Sequence, residues 1–115
     1  MATEEIGGLS VDLDRLPEGL RDLAPTIRQW ATGDVDEREQ RHEAASTEEL
    51  ADYWLSVSQR FPDINAYLEQ TIEGERSEEA LVLGWTAEGA LEAAEVIERR
   101  TGQSPAGGSP PPAAA

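Results

Sequence analysis

The sequence predicts an all-α protein: a small irregular bundle of four or five helices with a long C-terminal helix, followed by a disordered Pro/Ala/Gly tail. Three observations lead there. Apolar residues recur three and four apart through most of the chain, the period of a single helical face. Two serine-led acidic starts, Ser46-Thr47-Glu48-Glu49 and Ser77-Glu78-Glu79, read as helix N-termini. Strand-like alternation occurs once, weakly, near the N-terminus. At 115 residues, one core-bearing domain is expected, burying roughly two-thirds of its unfolded surface. The organisation expected is an N-terminal arm at 1–15, a helical domain at 16–102 and a flexible tail at 103–115.

In the arm, Leu9, Val11 and Leu13 alternate with Ser10, Asp12 and Asp14 after Gly7-Gly8. That suggests one short extended segment, which alone has nothing to pair with. Leu16, Leu20, Leu23, Ile27 and Trp30 then fall on one helical face. Pro17 suits a first turn, Pro25 forces a kink or restart, and Gly33 closes the segment. The stretch 34–45 opens with Asp34-Val35-Asp36-Glu37, which has the form of a capping box, and Glu37 and Arg41 sit i, i+4. It has almost no apolar face, so a short exposed helix or helical linker is expected.

From Ser46 the pattern strengthens. Leu50, Tyr53, Trp54, Val57 and Phe61 form a wide stripe, Pro62 ends that helix or opens the next, and Ile64, Tyr67, Leu68, Thr71 and Ile72 continue to a stop at Gly74. Ser77 starts the long helix. Ala80 to Trp85 is apolar almost all round, and Leu83, Ala87, Ala90, Ala94 and Ile97 then make one stripe before Arg99, Arg100 and Gly102 close it. Small residues along this helix would let another helix approach closely, and Gly89 is expected to be tolerated at a propensity cost of about 1 kcal/mol relative to Ala. Trp30, Trp54, Trp85 and Phe61 belong in or near the core. The tail, including Pro110-Pro111-Pro112, reads as a flexible end.

The chemistry-bearing residues are sparse. Cysteine is absent, which removes disulfides, thiolate metal sites and a Cys nucleophile. The single histidine, His42, stands in a Glu39-x-x-His42 spacing that di-metal carboxylate bundles use, but those need two such pairs and two more carboxylates, so only a dimer would complete one. Arg38 and Arg41 beside it oppose a cation, and chance alone places a Glu three before a His when 24 residues are acidic. An exposed, solvated histidine is expected, with no metal and no cofactor. Carboxylate pairs at Glu37/Glu39, Glu48/Glu49 and Glu78/Glu79 lie at helix starts and polar faces, where capping and solubility explain them. Ser56 and Ser58 have no base at hand, and no phosphate loop, nucleophile elbow or dinucleotide fingerprint is present. No catalytic residue is expected, and the protein is read as no enzyme.

The charge speaks more clearly. All nine basic residues are arginine, against 24 acidic ones, for a net charge of -15. Nucleic acid and an anionic membrane would repel such a chain, so neither is expected as a partner. No apolar run approaches the roughly 18–20 residues that span a bilayer, and the acidic Met1-Ala2-Thr3-Glu4-Glu5 start is unlike a signal peptide, so a cytoplasmic location is expected. A GC-rich genome or a high-salt cytoplasm would each favour this composition. The charge also grows along the chain: three Arg against six acids in 1–33, three against eight in 34–60, and three against ten in 61–102. Glu88, Glu92 and Glu95 line one side of the long helix and are the candidate partner-binding residues. The function expected is a small acidic, non-enzymatic interaction module (inhibitor, immunity or adaptor type) that binds a basic protein surface. Two alternatives are a scaffold protein that self-associates through its helices, which leaves a homodimer open, and the di-metal dimer.

Overall fold

The structure, a computed structural model, describes residues 3–70 and 77–105. It is an all-α small bundle carrying a two-stranded hairpin. Five helices follow the hairpin: α1 Ala24–Trp30, α2 Val35–Ala44, α3 Thr47–Ser58, α4 Phe61–Glu69 and α5 Glu78–Thr101. The 24 residues of α5 span ~36 Å at 1.5 Å per residue, most of the 43 Å long axis, and α1, α2, α3, α4 and the hairpin all pack on it.

The arm is not a lone strand. β1 (Glu4–Ile6) pairs antiparallel with β2 (Leu9–Val11), with Glu4 opposite Val11 and Ile6 opposite Leu9. Gly7 and Gly8 both hold positive φ, 57° and 85°, which a two-residue hairpin turn needs and which only glycine adopts freely. The first strand escapes notice because Glu4-Glu5-Ile6 shows no alternation of its own. Ile6 and Val11 reach the core, and the Trp85 ring lies against Gly7 and Gly33. Trp85 is thereby half-buried at the edge of the core, whereas Trp30, Trp54 and Phe61 are inside it.

The Leu16 to Trp30 face is buried throughout, but α-helical only in its second half. Leu13–Arg15 and Glu18–Leu23 are 3-10 turns, and the chain restarts as α1 with Pro25 in the first turn, where the missing N–H costs nothing.

The helix caps form where the local sequence places them. Ser46 Oγ accepts from the Glu49 N–H at 3.0 Å, while Glu49 Oε1 accepts from the Ser46 N–H at 3.0 Å, a complete capping box. Ser77 caps α5, and Gly102, at φ 74°, ends it with its N–H bonded to the Glu98 carbonyl. Asp34 caps α2 by accepting from the Asp36 and Glu37 N–H groups, but the box is not reciprocal: the Glu37 carboxylate turns to Thr32 and Arg41 instead. Thr71, Ile72, the Gly74 stop and the tail beyond 105 lie outside the described residues.

The most extensive helix–helix interface is α3 on α5; Leu50, Tyr53, Trp54 and Val57 of α3 and Val82, Leu83, Ala90, Ala93 and Ile97 of α5 are all buried. Gly89 sits in this interface. A Cβ there would run into the Tyr53 hydroxyl, which donates to the Thr86 carbonyl at 2.6 Å. Glycine at 89 is thus a packing requirement rather than a tolerated weakness, and α3 of the same chain occupies the small-residue face of α5.

Candidate functional site

The expected exposed linker, α2, is the main departure. Arg38 and His42 are only 5% and 3% exposed, although this helix has no apolar stripe. Both lie on the same face, i and i+4, turned towards α5. The Arg38 stem runs beside Gly89, and its guanidinium forks onto Glu92 through two bonds, Nε to Oε1 at 2.9 Å and Nη2 to Oε2 at 3.1 Å. Nη1 donates to the Thr32 carbonyl at 3.0 Å, and Glu88 stands 3.8 Å off. These carboxylates hold the Arg38 pKa above its ordinary value: the Glu92 hydrogen bond raises it most, against the opposing effect of burial. A buried charge is admitted because its counter-charge comes from α5.

His42 is not the solvated side chain the sequence suggests. Its ring lies against Trp30 at 5.7 Å and Tyr53 at 6.1 Å between centroids, and Trp30 stacks on Tyr53 at 4.6 Å, within 5° of parallel. Burial pushes the imidazole pKa below its ordinary value; Glu92 pulls it up and Arg38 down, each more weakly. Burial also drives the Tyr53 hydroxyl far above the usual phenol range.

The predicted partner-binding residues divide. Glu88 and Glu95 are exposed, while Glu92 is half-buried with both carboxylate oxygens taken by Arg38. Glu88 and Glu92 converge on that one guanidinium. Glu92 and Glu95 line a cleft of about 340 Å³ between α2 and α5, whose walls also include Val35, Glu39, His42, Glu43, Val96 and Arg99. Val35 is 59% exposed at its mouth. Glu39 and His42, the sequence's metal candidates, share this cleft, but among the described residues no three His, Asp or Glu side chains are placed to hold a metal ion. Ser58 is buried on the interior side of α3, and Ser56 is exposed. Sequence reasoning missed the burial of Arg38 and His42. The available signal was their shared i, i+4 face, carrying a long apolar stem and an aromatic ring.

Almost every described arginine is engaged within the chain. Arg28 makes a two-pronged bond to Glu4 at 2.8 and 3.0 Å, tying α1 to the hairpin and lowering the Glu4 pKa through that hydrogen bond. Arg60 joins Asp22 and the Gly19 carbonyl, Arg99 joins Glu43, and Arg41 joins Glu37 and the Gln29 carbonyl. Arg21 donates to the Leu16 carbonyl. Arg100 donates to the carbonyls of His42, Glu43 and Ala45 and to Thr47 Oγ1, closing the C-terminal end of α2. Arg15 alone, among the described arginines, points out without such a partner.

No family model matches this chain, and neither a curated protein nor a solved structure is similar to it. Among the described residues, no helix is long and apolar enough to cross a membrane.

Proposed function

We propose that this protein is a small acidic, non-enzymatic interaction module that binds a basic surface on another protein. The observation carrying this reading is the engagement of the arginines within the chain: among the described residues, Arg28, Arg38, Arg41, Arg60 and Arg99 pair with carboxylates of the same chain. Other carboxylates, including Glu39 and Glu95, are exposed and have no ion pair among the described residues. A surface of one sign steers an oppositely charged partner and makes the complex salt-dependent.

The test has two stages. Immobilised protein is exposed to a cell extract at low salt, captured proteins are identified by mass spectrometry, and the affinity of each purified partner is measured across ionic strength. A basic partner whose affinity falls as salt rises, and falls again with Glu88→Arg/Glu95→Arg, supports the reading. Partners that are neutral, or whose affinity ignores both salt and the reversal, refute it. The scaffold alternative draws less support: the small-residue face of α5 on which it drew is covered by α3.

A further inference from the structure

We propose that the cleft between α2 and α5 seats one guanidinium side chain of the basic partner, between the carboxylates of Glu39 and Glu95 and over the His42 ring. The inference rests on the acidic-module reading and gives it a location. Acidic side chains alone would not define a site, because a solvated helix face looks the same. The second observation is His42. It is only 3% exposed, its ring lines the cleft, and no hydrogen bond to either ring nitrogen exists among the described residues. The rings of Trp30 and Tyr53 cover it from within. An imidazole so nearly buried, lining an open cleft and without a protein hydrogen-bond partner among the described residues, can take that bond only from what enters the cleft.

The charges around the cleft select the occupant. Arg38 engages Glu92 and the Thr32 carbonyl, and Arg99 engages Glu43. Glu39 and Glu95 have no ion pair among the described residues. The site therefore offers two unmatched carboxylates from facing helices and, in a neutral imidazole, one acceptor nitrogen. A donor-only, positively charged group matches all three. A guanidinium fits better than an ammonium because its planar fork bonds several acceptors at once, as Arg38 already does on the neighbouring turn. At about 340 Å³, the cleft is near the lower limit for small-molecule sites and suits a side chain better than a large cofactor. Val35 and Val96 provide apolar wall for the arginine stem.

Occupancy should weaken in acid. His42 faces Arg38, Arg41, Glu39 and Glu43 on its own helix, Glu92, Glu95 and Arg99 on α5, and the Tyr53 hydroxyl on α3. Burial keeps the ring neutral near pH 7, and protonation would remove the acceptor and add a repelling charge.

The sequence has one histidine, so the imidazole resonances report on this site alone. Purified protein is titrated with a tetra-arginine peptide and with tetra-lysine at low salt, while the His42 ring nitrogens are followed by 1H–15N NMR and affinity by calorimetry. The expected result is a saturable shift of the His42 resonances, tighter binding of tetra-arginine, and binding that weakens as pH is lowered through the imidazole titration followed in the same spectra. Glu39→Gln/Glu95→Gln should weaken binding by roughly threefold to tenfold, whereas the charge-matched control Glu48→Gln/Glu69→Gln should change it much less. If the peptide binds but the His42 signals stay still, or both double variants weaken it equally, the cleft is overturned and the acidic-surface reading stands. No binding of either peptide overturns both.

Discussion

Replacing Gly89 with alanine sets two effects of opposite sign against each other. In a helix interior, alanine is favoured over glycine by about 0.8–1.0 kcal/mol, so Gly89→Ala should stabilise α5 if the position were merely tolerated. In the fold, the new methyl meets the Tyr53 hydroxyl head-on, with Tyr53 Cζ at 3.5 Å and Arg38 Cδ at 3.6 Å behind it. The hydroxyl cannot swing away cheaply, because the ring is 2% exposed and stacked on Trp30. Displacing it strains a close-packed contact, at about 1–3 kcal/mol, and breaks the buried bond to the Thr86 carbonyl, at about 1–3 kcal/mol. The steric side wins, and a net loss of about 1–5 kcal/mol is expected.

A double-mutant cycle isolates the cause. In Tyr53→Phe, the colliding oxygen is gone and the nearest ring atom lies at ordinary contact distance, so Gly89→Ala should become neutral or stabilise by up to about 1 kcal/mol. Urea unfolding followed by circular dichroism at 222 nm measures all four corners. Gly89→Ala stabilising the parent protein, or additivity across the cycle, would refute the account of α3–α5 packing.

Three other substitutions test separate parts of the structure. Because burial holds the His42 pKa below its ordinary value near 6.5, the unfolded chain takes up the proton first; stability is then full above about pH 6.5 and declines as pH falls through the folded-state pKa, no more steeply than about 1.4 kcal/mol per pH unit. His42→Phe should remove that slope between pH 6.5 and 5, and an unchanged slope in thermal melts would exclude His42 as its origin. Ser58 Oγ is buried without a hydrogen-bond partner among the described residues, so Ser58→Ala should be neutral or stabilise by up to about 1 kcal/mol in the same urea assay, and a clear loss would show that the hydroxyl is bonded. Arg38→Met should destabilise by about 2 kcal/mol, less than a fully buried pair costs because Glu92, at 38% side-chain exposure, can turn to water; an unaffected midpoint would mean that the α2–α5 ion pair contributes nothing.

Those residues also mark where sequence reasoning succeeds and where it stops. The α3 box at Ser46 and Glu49, the α5 cap at Ser77 and the Gly102 stop are set by neighbours a few positions away, so a local pattern suffices to find them. The apolar stripes of α3 and α5 are legible for the same reason. The role of α2 is not, because no apolar spacing announces it and the partner of Arg38 is 54 residues distant. Read locally, Arg38 and His42 are polar and belong outside; with Glu92 opposite the first and Trp30 and Tyr53 around the second, both go inside. The acidic ridge was half legible: its three glutamates are where the spacing puts them, but the engagement of Glu92 depends on α2 lying across them. The 3-10 form of Glu18–Leu23 keeps the predicted buried face while changing the hydrogen-bond pattern, a difference that hydrophobic spacing does not encode.

The absence of lysine admits a structural explanation that composition alone does not provide. Codon bias or salt adaptation would favour arginine wherever a positive charge occurs, whatever it touches. In the fold, Arg38, Arg60 and Arg100 each contact two or more acceptors on elements distant in sequence, combining carboxylates, hydroxyls or backbone carbonyls. A guanidinium can span such sets with its fixed fork, whereas an ammonium is a point charge on a flexible stem. Arg→Lys at constant net charge separates the two explanations. Arg100→Lys should lose part of its hold on the carbonyl end of α2 and cost about 1 kcal/mol. Arg15→Lys, at a side chain with no such partner, should be silent within about 0.5 kcal/mol. Equal effects at both positions would mean that fork geometry is not what the arginines contribute. A cost confined to Arg100 would tie the acidic exterior to the packing itself: most described cations are engaged as clamps between elements, and the exposed carboxylates without ion pairs are what the surface has left to offer a partner.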